Sequence, residues 1–254
     1  MLEIITLPVL SDNYIFLLHE PASGNTAVVD PAVAEPVLVM LGKRNWQLTY
    51  ILNTHHHWDH VGANLELQQQ TGCRIIASNY DRERIPGIDE SVGEGDRIQL
   101  GGSTGMVLET PGHTLGHIVY YFPDAQALFC GDTLFVMGCG RLFEGSAAQL
   151  FDSLQKLQQL PDATRVFCAH EYTRNNARFA LSVEPDNAEL HKAIEDIDRL
   201  RSQDLPTVPS TISQEKACNP FFRTDSATIQ KTLDMQGQPP VEVFTRLRTL
   251  KDHF

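Results

Sequence analysis

Residues 54–60 read Thr-His-His-His-Trp-Asp-His and follow the apolar run "LTYILN", so four of the chain's ten histidines and an aspartate crowd the end of an expected strand. Imidazole nitrogen and carboxylate oxygen, without a thiolate at matching spacing, suit zinc, iron or manganese. On an extended segment His55 and His57 point the same way, while Asp59 and His60 follow at a turn and can face a second ion. His56 points away and is expected not to be a ligand. Histidine and aspartate recur at other strand ends, in "LETPGHTLGH", "LFCGD" and "VFCAH". Adding His113, Asp132 and His170 gives seven candidate ligands, enough for two ions sharing Asp132 as a carboxylate bridge. The chemistry such a site supports is hydrolysis, because a divalent ion lowers the pKa of bound water to roughly 7 and accepts developing negative charge.

Something must carry these four loops to one place. Short β-like runs punctuated by turns fill the chain up to about residue 170, among them "NYIFLLHE", "NTAVVD", "CRIIAS", "HIVYYFP", "ALFCGD" and "TRVFCAH". Helical spacing marks "EPVLVMLGKR", "GANLELQQQTG" and "SAAQLFDSLQKLQQLP", the last with Ser146 as N-cap and Pro161 as stop. A mixed-sheet α/β (α+β) core is expected, with its site at one rim of the sheet, where strand ends from distant sequence meet. After Glu171 the texture changes: "TRNNARFALSV", "NAELHKAIEDIDRLRSQ" and "PPVEVFTRLRTLKDHF" are amphipathic and charge-laced, so residues 171–254 are expected to form a helical second domain after a metal-binding domain of 1–170.

Composition narrows the partners. A net charge of −12 without a basic block argues against nucleic acid and anionic membranes, which need clustered Lys and Arg. No stretch reaches the roughly 18 apolar residues of a membrane span and no secretory leader opens the chain, so a cytoplasmic protein is expected. Five scattered cysteines argue for reduced thiols rather than a disulfide framework.

In order, "THHHWDH", "TPGHTLGH", "CGDTLF" and "CAHEYT" resemble the metallo-β-lactamase superfamily, and "SDNYIFLL", "VVDP", "GCGRLFEG", "NPFFR" and the final "RLRTLKDHF" extend the resemblance over nearly the whole chain to its glyoxalase II (hydroxyacylglutathione hydrolase) family. The resemblance implies a four-layer αββα sandwich followed by a small all-helical C-terminal domain. It implies two divalent ions, zinc foremost with iron or manganese as alternatives, one on His55, His57 and His113 and the other on Asp59, His60 and His170. Asp132 and a water or hydroxide would bridge them, Asp59 and Asp132 holding that hydroxide. The implied activity is cleavage of S-(2-hydroxyacyl)glutathione, chiefly S-D-lactoylglutathione, to glutathione and D-lactate, the second step of methylglyoxal detoxification, by a monomer.

Arg141, Phe143, Tyr172, Arg248 and Lys251 are the implied glutathione contacts. Some members carry Lys and Tyr where this chain has Arg141 and Phe143, and losing the hydroxyl removes a hydrogen bond to the peptide part of the substrate. The rival activities of the superfamily are a lactonase or another metallo-hydrolase, and a mononuclear-iron persulfide dioxygenase, which would need neither Asp59 nor His60. Asp30 in "VVDP" is expected to orient the histidine loop, His117 to support rather than bind metal, and Trp58 to pack against the loop. His19, His191 and His253 are expected at the surface or in caps.

Overall fold

The computed structural model describes residues 2–254. By contact the chain divides into two compact units, one running to Glu109 and taking in Gly116–Gly131, the other made of Thr110–Leu115 and Asp132–Phe254.

The first unit contains a six-stranded sheet in the order β1 (Glu3–Val9), β2 (Asn13–His19), β3 (Asn25–Val29), β4 (Gln47–Leu52), β5 (Arg74–Ser78), β6 (Glu90–Val92). The first three pair antiparallel and the last four parallel, which is the mixed sheet expected. Every residue of β2 is buried, so both faces of the strand are covered. Alternation decides which residue covers which side. Ile15 and Leu17 join Val28, Ile51 and Ile75 in a core shared with Val37 and Leu41 of α1 (Glu35–Arg44) and Leu67 of α3 (Asn64–Thr71). Phe16, pointing the other way, meets Phe129 at a centroid distance of 5.6 Å. Phe129 belongs to a second, antiparallel set, β7 (Arg97–Leu100), β8 (Ser103–Glu109), β9 (Ile118–Phe122) and β10 (Ala127–Gly131). Tyr120 of β9 ties the two sheets, its hydroxyl donating to the carbonyls of Asn53 (2.9 Å) and Ile76 (3.2 Å).

Local chemistry sets the ends. Helix α1 starts at a proline in its first turn and stops at Asn45, whose φ of 54° caps it in the left-handed conformation. Between α1 and α3, a single turn, α2 (Trp58–Val61), begins inside the histidine cluster.

The second unit contains the hairpin β11 (Leu134–Phe135) and β12 (Gly138–Cys139), α4 (Ala147–Gln158), β13 (Arg165–Cys168), α5 (Thr173–Val183), α6 (Ala188–Arg201), β14 (Ser210–Thr211), α7 (Ile212–Cys218), α8 (Ala227–Thr232) and α9 (Pro240–Asp252). Ser146 caps α4 as expected, in a reciprocal box with Gln149. The segment beyond residue 171 is helical apart from β14, which pairs antiparallel with β13; two residues are too few to leave a β pattern in sequence. Among the described residues no helix is long and apolar enough to cross a membrane.

Candidate metal centre and substrate cavity

In the first unit, β4 leads into a bend at 54–55 and then α2, so the His55 ring lies near those of both His57 (4.6 Å) and His60 (4.0 Å), and alternation alone does not divide the cluster into two pairs. His55 Nε2 lies 3.0 Å from His57 Nδ1, and His60 Nε2 lies 3.6 Å from Asp59 Oδ2. Behind them, buried Asp30, at φ 49°, accepts from the Thr54 amide (2.8 Å) and hydroxyl (2.7 Å) and faces His60 Nδ1 at 3.0 Å. Asp30, expected to orient the histidine loop, makes three contacts with it. Because the Thr54 proton goes to Asp30, its oxygen accepts from His55 Nδ1 at 3.1 Å. In both His55 and His60 the Nε2 is left as the lone-pair nitrogen, the arrangement metal-binding imidazoles need. Asn13 adds a contact the sequence reading missed, donating to Asp59 Oδ2 at 3.0 Å and to its carbonyl at 3.3 Å. His117 stacks on His55 at 4.8 Å, a support and not a member of the donor set.

The second unit supplies the other donors. His113 Nε2 stands 3.5 Å from Asp132 Oδ2, and His170 Nε2 stands 3.4 Å from Asp132 Oδ1, so one carboxylate faces a histidine with each oxygen. His113 donates Nδ1–H to the Arg141 carbonyl at 2.8 Å, which again turns Nε2 toward the carboxylate. Gly140 is required here, since a Cβ would collide with the Asp132 carbonyl. The Tyr172 ring stacks on His170 at 4.8 Å and 2°.

These spacings fit an ion. Ligand atoms about 2.0–2.1 Å from a tetrahedral ion lie roughly 3.3 Å from each other. The separations of 3.0–3.6 Å within each set bracket that value. Each of the seven candidate ligands thus has another donor of the set within 3.6 Å in its own unit. The cysteines are all free and buried, and none is among these donors.

Also in the second unit, a cavity of about 470 Å³ is lined by Arg141, Phe143, Tyr172, Arg248 and Lys251, with His113 and Asp132 at its wall. The five residues assigned to the substrate thus share one cavity with two of the metal donors. Phe143 is exposed and its ring meets the edge of His113 at 5.1 Å. Lys251 touches Asn175, and burial together with the nearby Arg248 and Arg141 lowers its pKa to about 8. The Arg248 guanidinium is buried, donating to the Cys139 carbonyl at 2.9 Å and pairing with Asp252 at 3.0 Å. Its Nε is buried with no hydrogen-bond partner among the described residues.

The hairpin β11–β12 forms one side of the cavity and is held from behind. Glu215 accepts from the Met137 amide (2.8 Å), and Asn219 of "NPFFR" donates to the carbonyls of Gly138 (3.0 Å) and Phe135 (3.3 Å). Two expectations fail. Trp58 is 71% exposed instead of packing on the loop, and His19 is buried, bonded to Thr26 and stacked on Trp46 at 4.1 Å. His191 and His253 are exposed.

Residues 10–170 match the metallo-β-lactamase superfamily and residues 171–254 the hydroxyacylglutathione hydrolase C-terminus. A hydroxyacylglutathione hydrolase of Methylococcus capsulatus is 55% identical over 254 residues, covering 100% of this chain and 99% of that protein. One from Rhodospirillum rubrum is 54% identical, covering 100% and 99%. Among solved structures, ETHE1 from Myxococcus xanthus aligns with a TM-score of 0.69 at 25% identity, covering 97% of this chain and 96% of its own. TTHA1623, solved in a di-iron-bound form, aligns at 0.63 and 25% identity, covering 86% and 99%. By full-length relatives at more than half identity and by both of its matched segments, the chain belongs to the hydroxyacylglutathione hydrolase family of the metallo-β-lactamase superfamily.

Proposed function

We propose that the chain is a metal-dependent thioesterase that cleaves S-(2-hydroxyacyl)glutathione, chiefly S-D-lactoylglutathione, to glutathione and the 2-hydroxy acid. The observation that carries this reading is a cavity that joins histidine and aspartate donors to cationic and aromatic side chains. Relatives named for this reaction along their whole length favour it over a lactonase or a persulfide dioxygenase.

The site is read as binuclear, with His55, His57 and His113 holding one ion, Asp59, His60 and His170 the other, and Asp132 between them. Within each unit the contacts His55–His57, Asp59–His60, and His113 and His170 on either oxygen of Asp132 support the assignment. Nitrogen and oxygen ligands favour zinc, with iron or manganese compatible. Divalent ions held by these residues would supply a water of pKa near 7 and would offset the charge that develops on the carbonyl oxygen.

The protein's own residues do the rest. Asp30, Thr54 and the Arg141 carbonyl hold three histidines in the lone-pair orientation. Arg141 and Lys251 meet the substrate carboxylates, and the unpartnered Nε of Arg248 is a further donor at that wall. Phe143 and Tyr172 give the peptide an apolar side to lie against. Water oxygen bonds to the acyl carbon, the carbon–sulfur bond breaks with its electron pair going to sulfur, one water proton returns to that sulfur to give the glutathione thiol, and the other leaves with the 2-hydroxy acid, which loses it to solvent. We assign residues 1–170 the metal ligands and 171–254 the helical part of the glutathione site, and place the enzyme in the cytoplasm as a monomer.

The test follows loss of thioester absorbance with S-D-lactoylglutathione for the native chain and Asp59→Ala. Turnover that falls by about a hundredfold or more in the variant, together with loss of metal, is the expected result. Faster cleavage of a lactone by the native chain would overturn the assignment.

A further inference from the structure

The middle histidine of the triplet has a partner of its own. His55 and His57 contact each other, whereas His56 reaches the turn after β5. Its Nδ1 lies 3.3 Å from Asp81 Oδ2, and its Nε2 lies 3.3 Å from Arg84 Nη1. A guanidinium only donates, so Nε2 accepts and Nδ1–H is the donor to the carboxylate. Asp81 Oδ1 in turn accepts from Arg84 Nε at 3.0 Å and from its Nη2.

Asp81 is fully buried, in the turn after β5 that begins where Ser78 accepts from the Tyr80 amide. Its carboxylate also fills the space in front of Gly116, where a Cβ would collide with it. The residue after Gly116 is His117, the ring stacked on His55. One buried carboxylate therefore touches the histidine loop, the turn after β5 and the loop before β9. Burying such a charge with its cation gives little net stability, and an apolar replacement is often as stable. A different benefit is required to explain it.

We propose that Asp81 is a positioning residue for the metal site: acting through His56, it fixes the backbone from which His55 and His57 project, and through Gly116 the ring that backs His55. This rests on the metal-dependent reading above. Without the His56–Asp81 contact the loop between β4 and α2 would lose this anchor, and both neighbouring imidazoles would move with it.

The experiment uses the full-length, metal-loaded protein and measures metal per chain and the rate of metal loss to a chelator, with the melting temperature of the metal-free form. Asp81→Asn keeps the volume but replaces one acceptor by a donor. His56→Leu removes the link, and Gly116→Ala displaces Asp81 without touching the histidine. All three are expected to lose metal roughly 10–100-fold faster than the native chain, the range for groups that orient ligands. The metal-free melting temperature of Asp81→Asn and His56→Leu should fall less than that of the loaded form, that of Gly116→Ala falling further because its methyl group crowds a buried carboxylate, while KM should stay unchanged and excess metal should restore kcat. Metal retention within twofold of native in Asp81→Asn and His56→Leu would overturn the proposal. So would a metal-free form destabilised as much as the loaded one, since Asp81 would then be a general brace. If the native chain itself held no metal, the thioesterase reading would fall, and this proposal with it; variants indistinguishable from a native chain that holds metal would remove this proposal alone.

Discussion

Lys251 carries a charge that burial beside Arg248 and Arg141 makes easier to lose, its pKa falling to about 8. A carboxylate docking there favours the protonated amine, so binding and protonation support each other below about pH 8 and part company above it. KM for S-D-lactoylglutathione is therefore expected to rise as pH increases through about 8, with kcat much less affected. In Lys251→Met that rise should vanish and KM should already be high at pH 7; a steady-state pH series decides it, and an unchanged profile would remove Lys251 from the binding role. At this scale the sequence makes candidate donors conspicuous and hides the residues around them. His55, His57, Asp59 and His60 stand out because their types crowd one strand end. Asn13, Asp81, Glu215 and Asn219 are single polar letters in ordinary runs, and only three-dimensional contact brings them to bear. Trp58 and His19 were misjudged for the same reason: a ring's burial depends on what the rest of the fold brings over it.

Among the elements, long periodic ones were legible and two-residue ones were not. Helices α1 and α5 coincide with the runs that showed their spacing, because an apolar face repeats over several turns. The hairpin β11–β12 lies in "LFVMGC", too short for any period, yet it forms the cavity wall. It depends on tertiary hydrogen bonds from Glu215 and Asn219 for its place. Burial raises the Glu215 pKa to about 7 in the folded chain, from an unfolded value near 4.5. Between those values the folded state holds a proton that the unfolded state has released. The stabilising contribution is complete below about pH 4.5 and declines as pH rises toward about 7. The melting temperature of Glu215→Gln should consequently fall less than that of the native chain between pH 5 and pH 8. Parallel slopes would mean that the carboxyl is ionised throughout.

For the whole molecule, the change of texture after Glu171 coincides with the division between the two matched segments, whereas the compact units part at Gly131. Sequence texture records which elements a segment prefers; contact records what it packs against, and 110–115 shows the difference by belonging with residues far along the chain. The five thiols, all buried, have one further consequence for an enzyme of this substrate class. A thioester transfers its acyl group to any available thiolate, and a protein that binds such esters is exposed to self-acylation by exchange. Burial raises the pKa of Cys139, on the cavity wall, to about 11 and that of Cys218 to about 12, so neither carries appreciable thiolate at neutral pH. Intact-mass spectra after prolonged turnover should accordingly show no added acyl group on the folded chain, while the same chain unfolded in the presence of the ester should gain it, which makes the fold a barrier between the enzyme's own sulfur and its substrate.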